Sequence, residues 1–162
     1  MSAEAALARV VEALEQALAD DPGGTAFASA MRGLVDYEIE RNREEPGAVP
    51  EAERGRTGEL LAQLAPQLGA YVDKTFAVAA DPEAGLQHAG RRRSAIQAVL
   101  DGFAGTPVEG VIDLEDVEAI DAALRRKAAE VEPLPPDWIP AGLPERHWWW
   151  RASAGSGVSD AT

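Results

Sequence analysis

Leu7-Ala8-Arg9-Val10-Val11-Glu12-Ala13-Leu14-Glu15-Gln16-Ala17-Leu18 sets the period on which the rest of this chain is read. Leu7, Val10, Val11, Leu14, Ala17 and Leu18 fall at i, i+3, i+4, i+7, i+10 and i+11. That spacing lays one apolar stripe along an amphipathic helix. Ser2 stands where an N-cap belongs, and Asp20-Asp21-Pro22-Gly23-Gly24 ends the helix, because proline cannot continue it and glycine supplies turn conformations.

The same period continues outward. A second helix, capped by Thr25, carries Phe27, Met31, Leu34, Val35 and Ile39 inward, with Asp36, Glu38, Glu40, Arg41 and Arg43 on its outer face. Glu44-Glu45-Pro46-Gly47 breaks it. A third begins near Pro50 or Thr57 with the stripe Leu60, Leu61, Leu64, Leu68, Tyr71, Val72 and Phe76, and Pro66 inside it predicts a kink or two abutting helices. A fourth, starting around Gly90 to Ser94, turns Ile96, Val99, Leu100 and Phe103 inward. Thr106-Pro107-Val108-Glu109 has capping-box spacing and opens a short turn. Asp113 caps a fifth helix with Val117, Ile120, Leu124, Ala128 and Val131 as its stripe. No strand alternation runs longer than a few residues, and there is no internal repeat.

After Glu132 the pattern changes. Pro133, Pro135, Pro136, Pro140 and Pro144 forbid a regular helix and favour an extended chain. Glu145-Arg146-His147-Trp148-Trp149-Trp150-Arg151 follows, and four of the chain's nine aromatics are its tryptophans, all within this arm. The fold class is all-α: a bundle of about five helices over residues 1–132, an extended Pro/Trp-rich arm over 133–151 that packs on the bundle or on a partner, and a small polar tail, 152–162, expected to be disordered. In an extended arm, alternation sends Trp148 and Trp150 to one side and Trp149 to the other. The expectation is therefore that Trp148 and Trp150 are buried together and Trp149 is more exposed.

Composition narrows function mainly by exclusion. The 162 residues carry 15 basic and 28 acidic side chains, a net charge of -13. Nucleic acid and anionic membranes call for a basic face, so neither is an expected direct partner. There is no cysteine, hence no disulfide, thiolate metal site or thiol nucleophile. The N-terminus has no basic leader and no run approaches a membrane span, so a cytoplasmic location is the expectation. The acidic clusters at Asp36, Glu38, Glu40 and at Asp113, Glu115, Asp116 read as solvated helix surface rather than as metal ligands. His88 and His147, the two histidines, have no metal-site spacing on a helix, and no phosphate-loop, zinc-protease or dinucleotide motif is present. No cofactor, metal or catalytic residue is expected. Arg91-Arg92-Arg93, the basic run, is expected to neutralise the protein's own acidic surface more than to hold a phosphate.

The leading expectation is a non-catalytic acidic protein-binding module, of the immunity, antitoxin or accessory type, that masks a basic partner. Its partner-binding residues would be Trp148, Trp149, Trp150, Arg151 and His147 of the arm with the acidic Asp36, Glu38, Glu40, Asp113, Glu115 and Asp116. One alternative is a small all-α enzyme or ligand-binding protein whose pocket between helices draws on Tyr71, Lys74, His88 and the tryptophans. The other is a subunit of a homo-oligomer, with the arm docked on its neighbour.

Overall fold

A computed structural model describes residues 1–152; the expected tail lies outside them, apart from Ala152. The chain is all-helical. The elements are α1 (Ala3–Ala19), α2 (Thr25–Arg43), α3 (Glu51–Gln63), α4 (Ala65–Ala80), α5 (Leu86–Gly102) and α6 (Leu114–Ala128), then two 3₁₀ turns, Pro136–Trp138 and Trp148–Trp150. No strand occurs among the described residues, and no helix among them is long and apolar enough to cross a membrane.

α1 folds back on α2 and also packs on α3; α2 lies against α5, and α4 against both α5 and α6. The shared core runs through Leu7, Leu14, Leu34, Leu61, Ile96 and Leu124, all fully buried. Ser2 caps α1 by accepting the Ala5 amide, and Asp113 caps α6 by accepting the Glu115 amide.

Among the described residues there are six helices rather than about five, because Pro66 splits the predicted third one. A proline has no N–H to give the preceding turn, but it is tolerated at the start of a new helix. Leu64, at φ -99°, ends α3 and opens α4. Two starts also move. Thr25 caps nothing: Gly24 takes a left-handed φ of 69°, and the Asp21 carboxylate accepts the Ala26 and Phe27 amides at 2.9 and 3.0 Å. α5 begins at Leu86, which carries Gly90 and the three arginines into its interior.

The arm returns to the bundle, where its second 3₁₀ turn, Trp148–Trp150, meets α5 and α6. Here the expected alternation fails. A 3₁₀ turn has three residues per turn, so consecutive side chains radiate about 120° apart. Trp149 and Trp150 enter the core at 1% and 0% exposure, while Trp148 is half-buried beneath the Arg125 guanidinium. Ala152, read as the start of the tail, is buried as well. A helical glycine makes room for the indoles: a Cβ on Gly90 would stand 3.2 Å from Trp149 Cδ1.

Candidate functional site

The arm is held by one buried polar cluster. Ser94, in the middle of α5, accepts the indole N–H of Trp149 at 3.1 Å and of Trp150 at 2.9 Å. The Trp149 N–H also reaches the Gly90 carbonyl at 3.0 Å. A hydroxyl has two lone pairs and one hydrogen. With both lone pairs engaged, Ser94 gives its hydrogen to His147 Nδ1, 2.9 Å away. That bookkeeping puts the ring proton of neutral His147 on Nε2. Nε2 is buried, has no hydrogen-bond partner and faces Glu38 Oε2 at 3.6 Å.

Glu38 was expected on the solvated face of α2, but it is fully buried. Its position explains this: Phe27, Met31, Leu34 and Glu38 are spaced four, three and four residues apart, so Glu38 continues the apolar stripe. Two arginines compensate the charge. Arg41 binds Oε1, and Arg146 reaches Oε2 at 3.5 Å while its Nε holds Asp101 Oδ2 at 2.7 Å. Burial, the largest influence, pushes the Glu38 carboxyl up; the approach of His147 and the hydrogen bonds and charge of Arg41 outweigh it and hold the group below its ordinary range.

Ser94, His147 and Glu38 are the residue types of a hydrolytic triad, but their geometry is that of a clip. The Ser94 hydroxyl is fully buried and both its lone pairs are occupied by indole donors. It has no lone pair free to attack and no open path to a substrate.

Anchored this way, the arm forms one wall of a surface cleft of about 380 Å³. Arg32, Asp36 and Ile39 of α2, Tyr71 of α4, and Gln87, His88, Arg91 and Arg92 of α5 face Asp137 to Pro140 of the arm across it. Gln87 donates to the Trp138 carbonyl at 3.4 Å, and Trp138 is 52% exposed. Arg92 lies 3.9 Å above the Tyr71 ring and donates to the Tyr71 carbonyl and the Thr75 hydroxyl, each at 3.0 Å. Among the described residues Arg32 and Arg91 form no ion pair. Burial raises the Tyr71 hydroxyl above its ordinary value, against the pull of Arg92 and Arg32. Burial also lowers His88, aided by the positive charges of Arg92 and Lys74.

The arginine run therefore divides by helical direction. Arg91 points into the cleft, Arg92 lies over Tyr71, and Arg93 turns inward to Asp121 at 2.7 Å beneath Trp149.

The residues anticipated as partner-binding separate in the same way. His147, Glu38, Trp149 and Trp150 are interior, Trp148 and Glu40 are half-buried, and Asp36, Asp113, Glu115, Asp116 and Arg151 are exposed. Of the anticipated pocket residues, Tyr71 and His88 line the cleft, whereas Lys74 is exposed outside its lining. Arg32 and Trp138 were missed as a pair: they are 106 positions apart, and only the docked arm brings them together.

Comparison with protein-family models, with curated proteins and with solved structures finds no match for this chain.

Proposed function

We propose that the protein binds a small planar anion, an aromatic ring bearing a carboxylate or a phosphate, in the cleft between α2, α5 and the arm. One observation carries this reading: a chain of net charge -13 gathers Arg32, Arg91 and Arg92 around a cleft that also exposes Trp138. A planar guanidinium matches carboxylate and phosphate oxygens in bidentate fashion, and an exposed indole offers a stacking face. Asp36 and Asp137 also line the cleft and leave the local balance positive by one charge. They would disfavour ligands that are anionic over their whole surface.

Titration with salicylate and with adenosine monophosphate, followed by calorimetry and by tryptophan fluorescence, tests the proposal. Saturable binding of at least one probe is expected, weakened tenfold or more by Arg91→Ala combined with Arg32→Ala, with uncharged adenosine binding far more weakly. Fluorescence quenching should vanish in Trp138→Phe. Failure of both probes to bind at millimolar concentration would refute it.

A second reading, the acidic module for a basic partner, is favoured by a different surface. Phe76, 40% exposed, lies in a groove with Val72 and Ala119 between Asp73 and Asp116, next to the acidic first turn of α6. An apolar strip with an acidic border suits a basic amphipathic helix. A synthetic Lys/Leu helical peptide should then bind in a salt-sensitive way and lose affinity in Phe76→Asp.

A further inference from the structure

We infer that Glu38, Asp101 and His147 form a site for a divalent transition metal, with Arg146 standing as its counter-ion and gate when no metal is bound. One ligand atom from each of the three residues falls within 4.8 Å of the others, drawn from α2, α5 and the arm. A buried nitrogen without a partner supplies the second observation: His147 Nε2 is wholly shielded, makes no hydrogen bond and faces the Glu38 carboxylate. A native fold seldom leaves such an atom unsatisfied. Its 3.6 Å separation from Glu38 Oε2 is too long for a hydrogen bond. It is close to the roughly 3.4 Å that separates two ligands each about 2.1 Å from a tetrahedral ion.

The donor set defines the ion. One imidazole with two carboxylates suits zinc, cobalt, iron or manganese; the nitrogen disfavours calcium and magnesium, and the lack of thiolate disfavours copper(I). The fourth position would go to water.

The proton balance closes, and the site charge rises by one as a dication replaces one guanidinium. Arg41 and Arg146 neutralise the two carboxylates without metal. Arg146 is 49% exposed and can swing into solvent as a dication enters, while Arg41 keeps its contact with Glu38. His147 must present the Nε2 lone pair, so its single proton moves to Nδ1 and is donated to Ser94. Ser94 can accept it because the Trp149 N–H has a second acceptor in the Gly90 carbonyl. The serine's own hydrogen then turns back toward the preceding helical turn, a bond open to any mid-helix serine. The ring gains and loses no net proton.

Calorimetry with Zn²⁺ and the visible absorption of added Co²⁺ test the site on the full chain, with circular dichroism confirming the fold of each variant. Wild type should bind one equivalent, and the cobalt spectrum should report an enclosed site of low coordination number. Arg146→Ala, which removes the competing guanidinium, should bind tenfold or more tightly. Asp101→Asn, at a half-buried position that tolerates the change, should bind at least tenfold more weakly, and His147→Gln should abolish the cobalt spectrum. The thermal midpoint should rise with Zn²⁺ in wild type and not in Asp101→Asn. The proposal is overturned if neither wild type nor Arg146→Ala binds Zn²⁺ below about 1 mM in the affinity range of weak sites. It is equally overturned if Asp101→Asn binds as wild type does, which would assign the metal to surface carboxylates, or if Arg146→Ala binds more weakly.

Discussion

At the residue scale, one hydroxyl organises the arm. Ser94 is the acceptor for two buried indole donors and the donor to a buried imidazole. Ser94→Ala leaves Trp150 and His147 without these partners, while Trp149 keeps Gly90. Each buried polar group left unsatisfied costs roughly 1–3 kcal/mol, so a loss of about 2–6 kcal/mol is expected in urea unfolding. A variant that unfolds within 0.5 kcal/mol of wild type would remove Ser94 from this role.

Glu38 contributes the pH dependence. Its folded carboxyl titrates below the ordinary value of 4.5, so the unfolded chain takes up the proton first. The stability it supplies is therefore present above about pH 5 and is lost as pH falls through the folded value. His88, lowered from 6.5 by burial and by Arg92 and Lys74, acts in the same direction from just below neutrality. Tyr71, raised from 10.0 by burial, acts on the other side: its contribution is lost as pH rises past 10. Denaturation followed from pH 7 to pH 3 should show stability falling steadily, and Glu38→Gln should flatten the part below pH 5. That variant should also cost about 1.5–3 kcal/mol at pH 7, the worth of hydrogen bonds to a charged group. The 3–5 kcal/mol of a fully buried broken pair does not apply, since Arg41 and Arg146 both reach water.

At the scale of elements, the helices were legible because an apolar stripe at 3.6-residue spacing reports its buried face directly. Leu7, Val10 and Leu14 are each read as inward and each is buried, whereas Leu18 and Phe76, read into the same kind of stripe, are 41% and 40% exposed. What stayed hidden depends on contacts distant in sequence. Glu38 follows the stripe of α2, but its acidity argues for the surface; Arg41 lies three residues on in the same helix, and the second arginine that makes burial tolerable, Arg146, comes from the distant arm. Strand geometry sends Trp149 outward, and nothing local to His147–Arg151 distinguishes an extended chain from a 3₁₀ turn. Helical glycines test how far packing outweighs propensity. A Cβ on Gly58 would fall 2.1 Å from Thr106 Oγ1 and 2.4 Å from its Cβ, whereas Gly55, in the same helix, has open space around it. Gly55→Ala should stabilise by up to about 1 kcal/mol through helix propensity. Gly58→Ala should destabilise in spite of the same gain, since α3 and the 103–108 turn must separate. Thermal melts of the two variants should shift in opposite directions.

At the scale of the whole molecule, the arm belongs to the core and also completes the cleft. Trp149 and Trp150 lie in the same apolar cluster as Leu7 and Leu124, and Trp138 walls the cleft that Arg32 and Arg91 line. Truncation after Glu132 therefore removes more than an appendage. Each buried indole is worth about 3–5 kcal/mol against alanine, and two of them approach the 5–15 kcal/mol that holds a typical domain together. The truncated chain also opens Glu38 to water and leaves Ser94 without its indole and imidazole partners. The six helices keep their own backbone hydrogen bonds, so secondary structure should survive where specific packing does not. The expected product is compact and helical, with far-UV dichroism near that of the full chain, loss of near-UV signal, dye binding to exposed apolar surface and a broad melt. Trp148→Ala, which removes a half-buried ring, should by contrast leave a cooperative melt and cost less than either Trp149→Ala or Trp150→Ala. A truncated protein that still melts cooperatively within a few degrees of the full chain would mean that the helices form a complete core without the arm, and the burial of Trp149 and Trp150 would then be a docking event on a finished bundle.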